Sequence, residues 1–323
     1  MRGIVQVGFG TPEEALELAH IDEPTLDDDS VVVRVAAAGI NIGVVYGVRG
    51  YPKVMRPMFR SMRGPGGVIG SDIAGTVEAV GTNVTTLEPG DEVFGSCKGA
   101  FAEYTSAKPE ALVPMPDNLT SEQAAAVGVS AMTALQALRT HGNLAPGQHV
   151  LITGASGGVG TFAVQIAKSM GAEVTGVCST GAVDLVRSLG ADHVIDYTSE
   201  DFTQGGPAYD LIFDNVGQHP LKAMRQALRP DGLLLSNGAP APTGWFGGLG
   251  TPVKSAFASM AHKQQGRPFL SVANEDDLAA LRDLVENGEM KPVIDRTYAL
   301  DDGIDAVTHV GEGHNRGTTI ITM

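Results

Sequence analysis

The sequence is poor in the residues that mark several protein classes. Its 323 residues hold two cysteines, one tryptophan and so few cations relative to acids that the formal charge is −15. Cys97 and Cys178 stand far apart, with no CxxC spacing and no histidine-rich neighbourhood, which argues against a disulfide framework or a zinc module. There is no uncharged apolar run of the roughly 18 residues that a membrane helix needs, and "MRGIVQVGFGTPEEALEL" lacks a long apolar leader core. Neither membrane nor secretion is expected, and a reduced, cytoplasmic chain is. The acidity also disfavours a broad nucleic-acid surface, because phosphate binding needs clustered cations.

What is present is globular: 43% of residues are hydrophobic and 18% charged, which sets disorder aside. The length exceeds that at which one core stops growing, so two domains are expected. "SVVVRVAAAGIN" (30–41) and "IAGTVEAVG" (73–81) are small or β-branched runs closed by Asn or Gly, as in a barrel-like β-rich unit, and "PGDEVFG" and "GAFAEYTSA" continue the pattern. A helical run follows over 120–142, with Thr120 or Ser121 as N-cap before Glu122 and Gln123. From 147 short apolar strands alternate with helical segments ("HVLITG", "VGTFAVQIAKSMG", "EVTGVCS", "AVDLVRSLG", "HVIDY", "YDLIFDNVG", "HPLKAMRQALRPDG", "LLLSNG"). Such alternation predicts a doubly wound parallel sheet. The mixed tail from about 274 is expected to return to the first domain.

Within that alternation, "LITGASGGVGTFAVQIAK" (151–168) sets glycines between a strand and a helix. This geometry exposes unpaired N–H groups at a helix N-terminus, where a pyrophosphate can bind. A glycine-rich turn can also be no more than a tight connection; the next strand weighs against that. Its end, "VCST" (177–180), carries Ser179 and Thr180 where an NAD site often has Asp or Glu, leaving room and hydroxyl donors for a 2′-phosphate. NADP(H) is the expected cofactor.

With "GSDIAGTVEAVG", "PGDEVFG", "LGADHVIDYTSEDF" and "YDLIFDNVG" in the same order, the chain resembles the medium-chain dehydrogenase/reductase superfamily in its zinc-independent, quinone oxidoreductase-like branch. The resemblance covers nearly the whole chain. It implies an α/β protein with a GroES-like β-rich catalytic domain (1–122 and 268–323) and a Rossmann domain (123–267). It also implies a homodimer and NADPH in a cleft. Ala155, Ser156, Gly157, Gly158, Val159 and Gly160 would form the pyrophosphate loop, and Ser179, Thr180 and Tyr197 would surround the adenosine phosphate. Relatives often have Lys or Arg where Gly181 and Ala182 stand here; Arg187 and Arg316 are the nearest basic candidates. Asn215 to Gly217 (with Val216), Asn237, Gly238, Phe269 and Leu270 match segments that flank the nicotinamide.

Zinc-dependent members of the superfamily need a thiolate or imidazole and then a His-Glu pair where this chain has Asn41 and Ser71-Asp72. Of the eight histidines none forms an HxxxH pair, and surface or hydrogen-bonded roles cover them all. Without a metal, hydride transfer relies on orientation and hydrogen bonding, which suits quinones and alkenes conjugated to a carbonyl. Asn41 and Tyr46 are the candidate donors, with Thr133 beside the nicotinamide by resemblance; Tyr46 reads equally as a packed cleft wall. Ile42, Gly43 and Val44 replace the Pro and acid that relatives place nearby.

"RGYPKVMRPMFRSMRGPGG" (49–67) carries five cations and no acid, interleaved with Met55, Met58, Phe59 and Met62. It reads as a lid for a bulky hydrophobic acceptor with an anionic tail, or as a loop whose Met and Phe cap the core while the cations face water. Trp245 and Phe246 would form the opposite wall or anchor their own loop. Two other functions stay open: a metal-free carbonyl reductase or alcohol dehydrogenase, and a low-turnover NADPH-binding protein of zeta-crystallin type.

Overall fold

The valine-rich run at 31–35 opens a ten-residue strand, β3 (Val31–Ile40), that is buried along nearly its whole length. Only Arg34 and Ala36 face solvent, so both faces are covered and simple alternation is lost. The computed structural model describes residues 1–238, 265–268, 271 and 274–323. Contacts divide the chain into Met1–Met132 with Val272–Met323, and Thr133–Ser271.

In the first unit β1 (Arg2–Gln6) and β2 (Leu16–His20) form an antiparallel ribbon. The main sheet runs β14 (Ile294–Ala299), β15 (Thr318–Thr322), β3, β4 (Asp72–Val80), β5 (Glu92–Ser96), β7 (Leu112–Pro114), with β6 (Tyr104–Ala107) also paired to β3. The chain's last strand is therefore a direct neighbour of its third, with Thr319 opposite Ile40. Ile4, Val33, Ile73, Phe101 and Ile321 share one core. Each such side chain contributes roughly 1.5–3 kcal/mol by leaving water. Short helices α1 (Pro12–Ala15), α2 (Ile42–Arg49) and α3 (Arg56–Ser61) leave the strands.

α4 (Ser121–Leu135) starts as its cap signal predicts: the Thr120 hydroxyl accepts from the Gln123 N–H, and the Gln123 side chain accepts from the Thr120 N–H. It is not one helix, however. The backbone at Gly128 is non-helical, which makes 129–135 a second helical piece, and a wider π-helical turn continues over Gln136–His141.

The second unit is a six-stranded parallel sheet. Its order is β10 (His193–Asp196), β9 (Glu173–Cys178), β8 (His149–Thr153), β11 (Tyr209–Asp214), β12 (Leu228–Ser236) and β13 (Gln265–Pro268). In chain order this is 3-2-1-4-5-6, the Rossmann arrangement, with the reversal of direction between β8 and β11. Strands buried on both sides must be apolar throughout, which is why "VLIT" and "LIFD" show no alternation. α5 (Gly158–Ser169), α6 (Val183–Ser188) and α7 (Leu221–Ala227) are the crossover helices. α7 stops earlier than the run "HPLKAMRQALRPDG" suggests, because Leu228 already pairs with Tyr209 and Pro230 cannot donate to a helix. Among the described residues no helix is long and apolar enough to cross a membrane.

Candidate active site

The candidate site residues fall into two sets, one in each unit. In the second unit β8 ends at Thr153, and Gly154 turns the chain with φ +63°, a conformation that side chains resist. Gly157 is the N-cap of α5 and offers no capping side chain, and no acid stands in the first turn. The first-turn N–H groups therefore keep their capacity for an anion. A Cβ on Gly157 would meet nothing nearer than the Gly154 carbonyl oxygen at 3.5 Å, so the mouth of the loop is open. Gly160 is the opposite case: a Cβ there would lie 2.0 Å from the Gly154 oxygen and 2.7 Å from Ala155 Cα. The loop can fold against its helix only because that position is bare.

The carboxyl ends of β8, β11 and β12 are tied by a residue that sequence reasoning passed over. Asp214 is buried; its Oδ1 accepts from the Thr153 hydroxyl at 2.7 Å and from the Val216 and Gly217 N–H groups at 3.2 and 3.0 Å. Its carbonyl accepts from the Asn237 and Gly238 N–H groups, both at 2.9 Å. Asn237 Nδ2 donates to Asn215 Oδ1 at 2.9 Å, and the Asn215 N–H donates to the Thr153 hydroxyl at 3.0 Å. Asn215, Val216, Asn237 and Gly238 are thus brought together beside the glycine loop, at the switch point where open parallel sheets bind ligands. The signal for Asp214 was available: an acid ending an apolar strand must be paired to be buried.

At the end of β9 the Thr180 hydroxyl lies 3.0 Å from that of Thr198, which donates to Asp196 Oδ1 at 2.8 Å. Those hydroxyls and the Thr198 N–H hold the Asp196 carboxyl below its usual range. Tyr197 is 57% exposed, and its N–H donates to the Cys178 carbonyl. Arg187 makes only an exposed contact with Asp184, worth little. Arg316 belongs to the first unit, its N–H donated to Asp295. Trp245, Phe246, Phe269 and Leu270 lie outside the described residues.

In the first unit Asn41 is the N-cap residue of α2, but its amide turns away from the helix. Nδ2 donates to Ser71 Oγ at 2.9 Å and to Asp72 Oδ2 at 3.1 Å. Ser71 Oγ donates to Asp72 Oδ1 at 3.3 Å, and the Val129 N–H, at the start of the second piece of α4, donates to the same oxygen at 3.1 Å. Asp72 is 3% exposed; burial pushes its carboxyl up to about 6, although the bonds from Asn41, Val129 and Ser71 favour the ionised form. Gly128 makes the arrangement possible, since a Cβ there would sit 2.4 Å from Asp72 Cγ. Burial pushes the neighbouring Cys97 thiol up to about 12, which leaves it protonated and unreactive. Tyr46 lies half-buried on α2, and that burial raises its hydroxyl above the ordinary range. Thr133 is buried on α4 at the start of the second unit.

The basic stretch departs from the second of its sequence readings, in which Met and Phe cap the core and the cations face water. Met58 and Met62 are 38% and 55% exposed, while the guanidinium carbons of Arg56, Arg60 and Arg63 gather at 4.6, 5.3 and 5.1 Å from the ring centre of Phe9. Met58 and Met62 face water, Met55 and Phe59 are half-buried, and three of the five cations stack on one aromatic ring. Phe9 carried no sequence signal, because nothing in "GFGTP" points to a segment 50 residues on.

Residues 27–117 match the model of the alcohol dehydrogenase GroES-like domain, and residues 189–321 match that of the zinc-binding dehydrogenase. The chain is 32% identical to the mitochondrial NAD(P)H oxidoreductase RTN4IP1 of Mus musculus, over 91% of this chain and 82% of that protein. It is 30% identical to the 2-methylene-furan-3-one reductase of Solanum lycopersicum, over 94% of this chain and 74% of that protein. The quinone oxidoreductase structure from Coxiella burnetii superposes with a TM-score of 0.87 at 26% identity, covering 100% of this chain and 99% of that one. With a Rossmann sheet, an open glycine loop at its switch point and a GroES-like β unit, the chain belongs to the medium-chain dehydrogenase/reductase superfamily, in its quinone oxidoreductase-like branch, and is an oxidoreductase that uses a nicotinamide cofactor.

Proposed function

We propose that the protein is a zinc-independent, NADPH-dependent reductase that delivers hydride to a quinone or to an alkene conjugated to a carbonyl. The carrying observation is the closed hydrogen-bonded set Asn41–Ser71–Asp72, at the place where metal-dependent relatives hold zinc. An amide and a hydroxyl are not zinc ligands of the usual kind, and both oxygens of the one carboxylate are already occupied by donors. The set does not fit the metal, and no step runs through one.

The glycine loop does fit a dinucleotide. Ser156, Gly157, Gly158 and Val159 would hold the pyrophosphate, with Ala155 and Gly160 shaping the loop. Asn215, Val216, Asn237 and Gly238 would flank the nicotinamide. Ser179, Thr180 and Tyr197 would receive the adenosine phosphate; the absence of an acid at the end of β9 supports NADPH over NADH. Bound NADPH supplies the hydride.

The chain's own task is to accept the charge that hydride transfer leaves on the substrate oxygen. A quinone or enone spreads that charge, so a neutral donor suffices. The Tyr46 hydroxyl, kept protonated by burial, is the group for it. The Asn41 amide hydrogens are committed to Ser71 and Asp72, so Asn41 positions the cluster and α2, while Thr133 lines the nicotinamide side. Met55, Met58, Phe59 and Met62 would cover an irregular apolar substrate. The tomato relative's name, an exocyclic methylene beside a furanone carbonyl, supports the enone class. Two free cysteines support a reducing, cytoplasmic setting, and a homodimer completes the reading.

The test is NADPH oxidation by chelator-treated enzyme with a quinone and with an α,β-unsaturated ketone, with the ketone's product identified. Turnover indifferent to chelator and a saturated ketone as product are expected. An allylic alcohol as product would make it a carbonyl reductase. Activity restored only by added zinc would sink the metal-free mechanism, and tight NADPH binding with no turnover of either class would leave a binding protein.

A further inference from the structure

The other end of the parallel sheet brings together three residues that the sequence keeps apart. β8 opens with His149, β9 with Glu173 and β10 with His193, and their potential ligand atoms all lie within 4.8 Å of one another. Register explains the convergence: His149 pairs with Glu173, and His193 with Thr175 two residues on, so all three side chains leave one face of the sheet. His193 Nε2 is 2.9 Å from Glu173 Oε1, and His149 Nε2 is 3.9 Å from the same oxygen.

We infer that His149, Glu173 and His193 form a binding site for a divalent transition-metal ion of the zinc type. Two imidazoles and one carboxylate are a known zinc ligand set, and nitrogen and oxygen atoms around a tetrahedral ion stand about 3.4 Å apart for bonds of about 2.1 Å. The separations here straddle that value, and His193, exposed on the edge strand β10, is free to swing to meet it. His149 is the fixed member. Its ring packs edge-on against Tyr209 at 4.9 Å, and Nε2, 3.0 Å from the Thr175 hydroxyl, would exchange that hydrogen bond for the ion. The two rings, 5.9 Å apart, face the same carboxylate. A cation bonded to all three clamps three neighbouring strands.

The site stands at the amino end of β8, about 13 Å along the strand from the glycine loop. It therefore acts on the stability of the second unit and not on hydride transfer, and it is independent of the function proposed above. The experiment is equilibrium dialysis of the chelator-treated full chain against Zn²⁺, with His193→Ala and Glu173→Gln in parallel. Melting curves and the visible spectrum of the Co²⁺ form accompany it. One ion per chain is expected, with a melting point raised by several degrees and affinity falling more than about tenfold in both variants. Both changes sit at exposed side chains, and circular dichroism confirms the fold. No saturable uptake overturns the assignment. So does equal uptake by wild type and both variants, or a loss of uptake confined to Asp72→Asn; that last result would move the ion to the first unit.

Discussion

The glycine loop and the Asn41–Ser71–Asp72 cluster are built on opposite principles. The loop is backbone: consecutive residues, shaped by the absence of Cβ atoms, with N–H groups whose polarity does not change with pH. The cluster is side chain: Asn41 before α2, Ser71 and Asp72 at the head of β4 and the Val129 N–H of α4, arranged around a buried acid that titrates. A site made of backbone binds but is hard to tune. A site made of side chains from distant parts of the chain is tunable but depends on packing to exist at all.

The sharpest way to break the loop is Gly160→Ala. The new methyl would meet the Gly154 oxygen at 2.0 Å, and backbone cannot step aside as a side chain can. We expect NADPH affinity to fall more than about 100-fold. Stability should fall by about 3 kcal/mol. Fluorescence titration and urea unfolding read the two. An affinity within a few-fold of wild type would show that the helix does not need to approach the loop.

The cluster breaks through pH instead. Asp72 has a folded pKa of about 6 against an ordinary value near 3.8. Below about pH 4 both states hold the proton and the residue contributes nothing. Between about 4 and 6 only the folded state holds it, so stability falls as pH rises; above 6 the full penalty, on the order of 3 kcal/mol, remains. Asp72→Asn removes the titration. The difference in unfolding free energy between Asp72→Asn and wild type should thus grow from pH 4 to 6 and then level off. A difference that is flat with pH would mean that the carboxyl titrates normally.

The contrast also accounts for what could be read in advance. Spacing of Gly154, Gly157, Gly158 and Gly160 is local information, and with the strand–helix alternation it pointed to the Rossmann sheet and its loop. Thr120 and Gln123 likewise declared the start of α4. The break at Gly128 was not legible, because its cause is a carboxylate 56 residues earlier in the chain. For the same reason His149 and His193 read as unrelated histidines, and Phe9 carried no signal: only strand register and tertiary packing put them beside Glu173 and the arginines.

Gly128→Ala tests the dependence on packing at smaller scale. The methyl would meet Asp72 Cγ at 2.4 Å and Oδ1 at 2.5 Å, so the carboxyl must move and give up the Val129 N–H. A loss of about 2 kcal/mol is expected, with NADPH affinity unchanged. In Gly128→Ala with Asp72→Ala two of the three close contacts are gone, and the double variant should recover about 1 kcal/mol relative to the sum of the single changes. Strict additivity would mean that Gly128 is there for the helix break and not for the carboxylate.

Tyr46→Phe carries the smallest effect and separates binding from chemistry. Tyr46 sits on α2, which starts at Asn41, so the cluster fixes the helix that presents the hydroxyl. The substitution keeps the ring and its packing and removes only the donor. If the hydroxyl bonds the oxygen on which charge develops, kcat should fall about tenfold, which is about 1.4 kcal/mol, with the KM for NADPH unchanged. The loss should be greater for an enone than for a quinone, whose second oxygen shares the charge. Because burial keeps the hydroxyl protonated beyond its usual range, the wild-type rate should also stay level on the alkaline side up to about pH 9. An unchanged kcat with both substrates would reduce Tyr46 to a wall residue and leave Ser71, the hydroxyl of the cluster, as the group to test next.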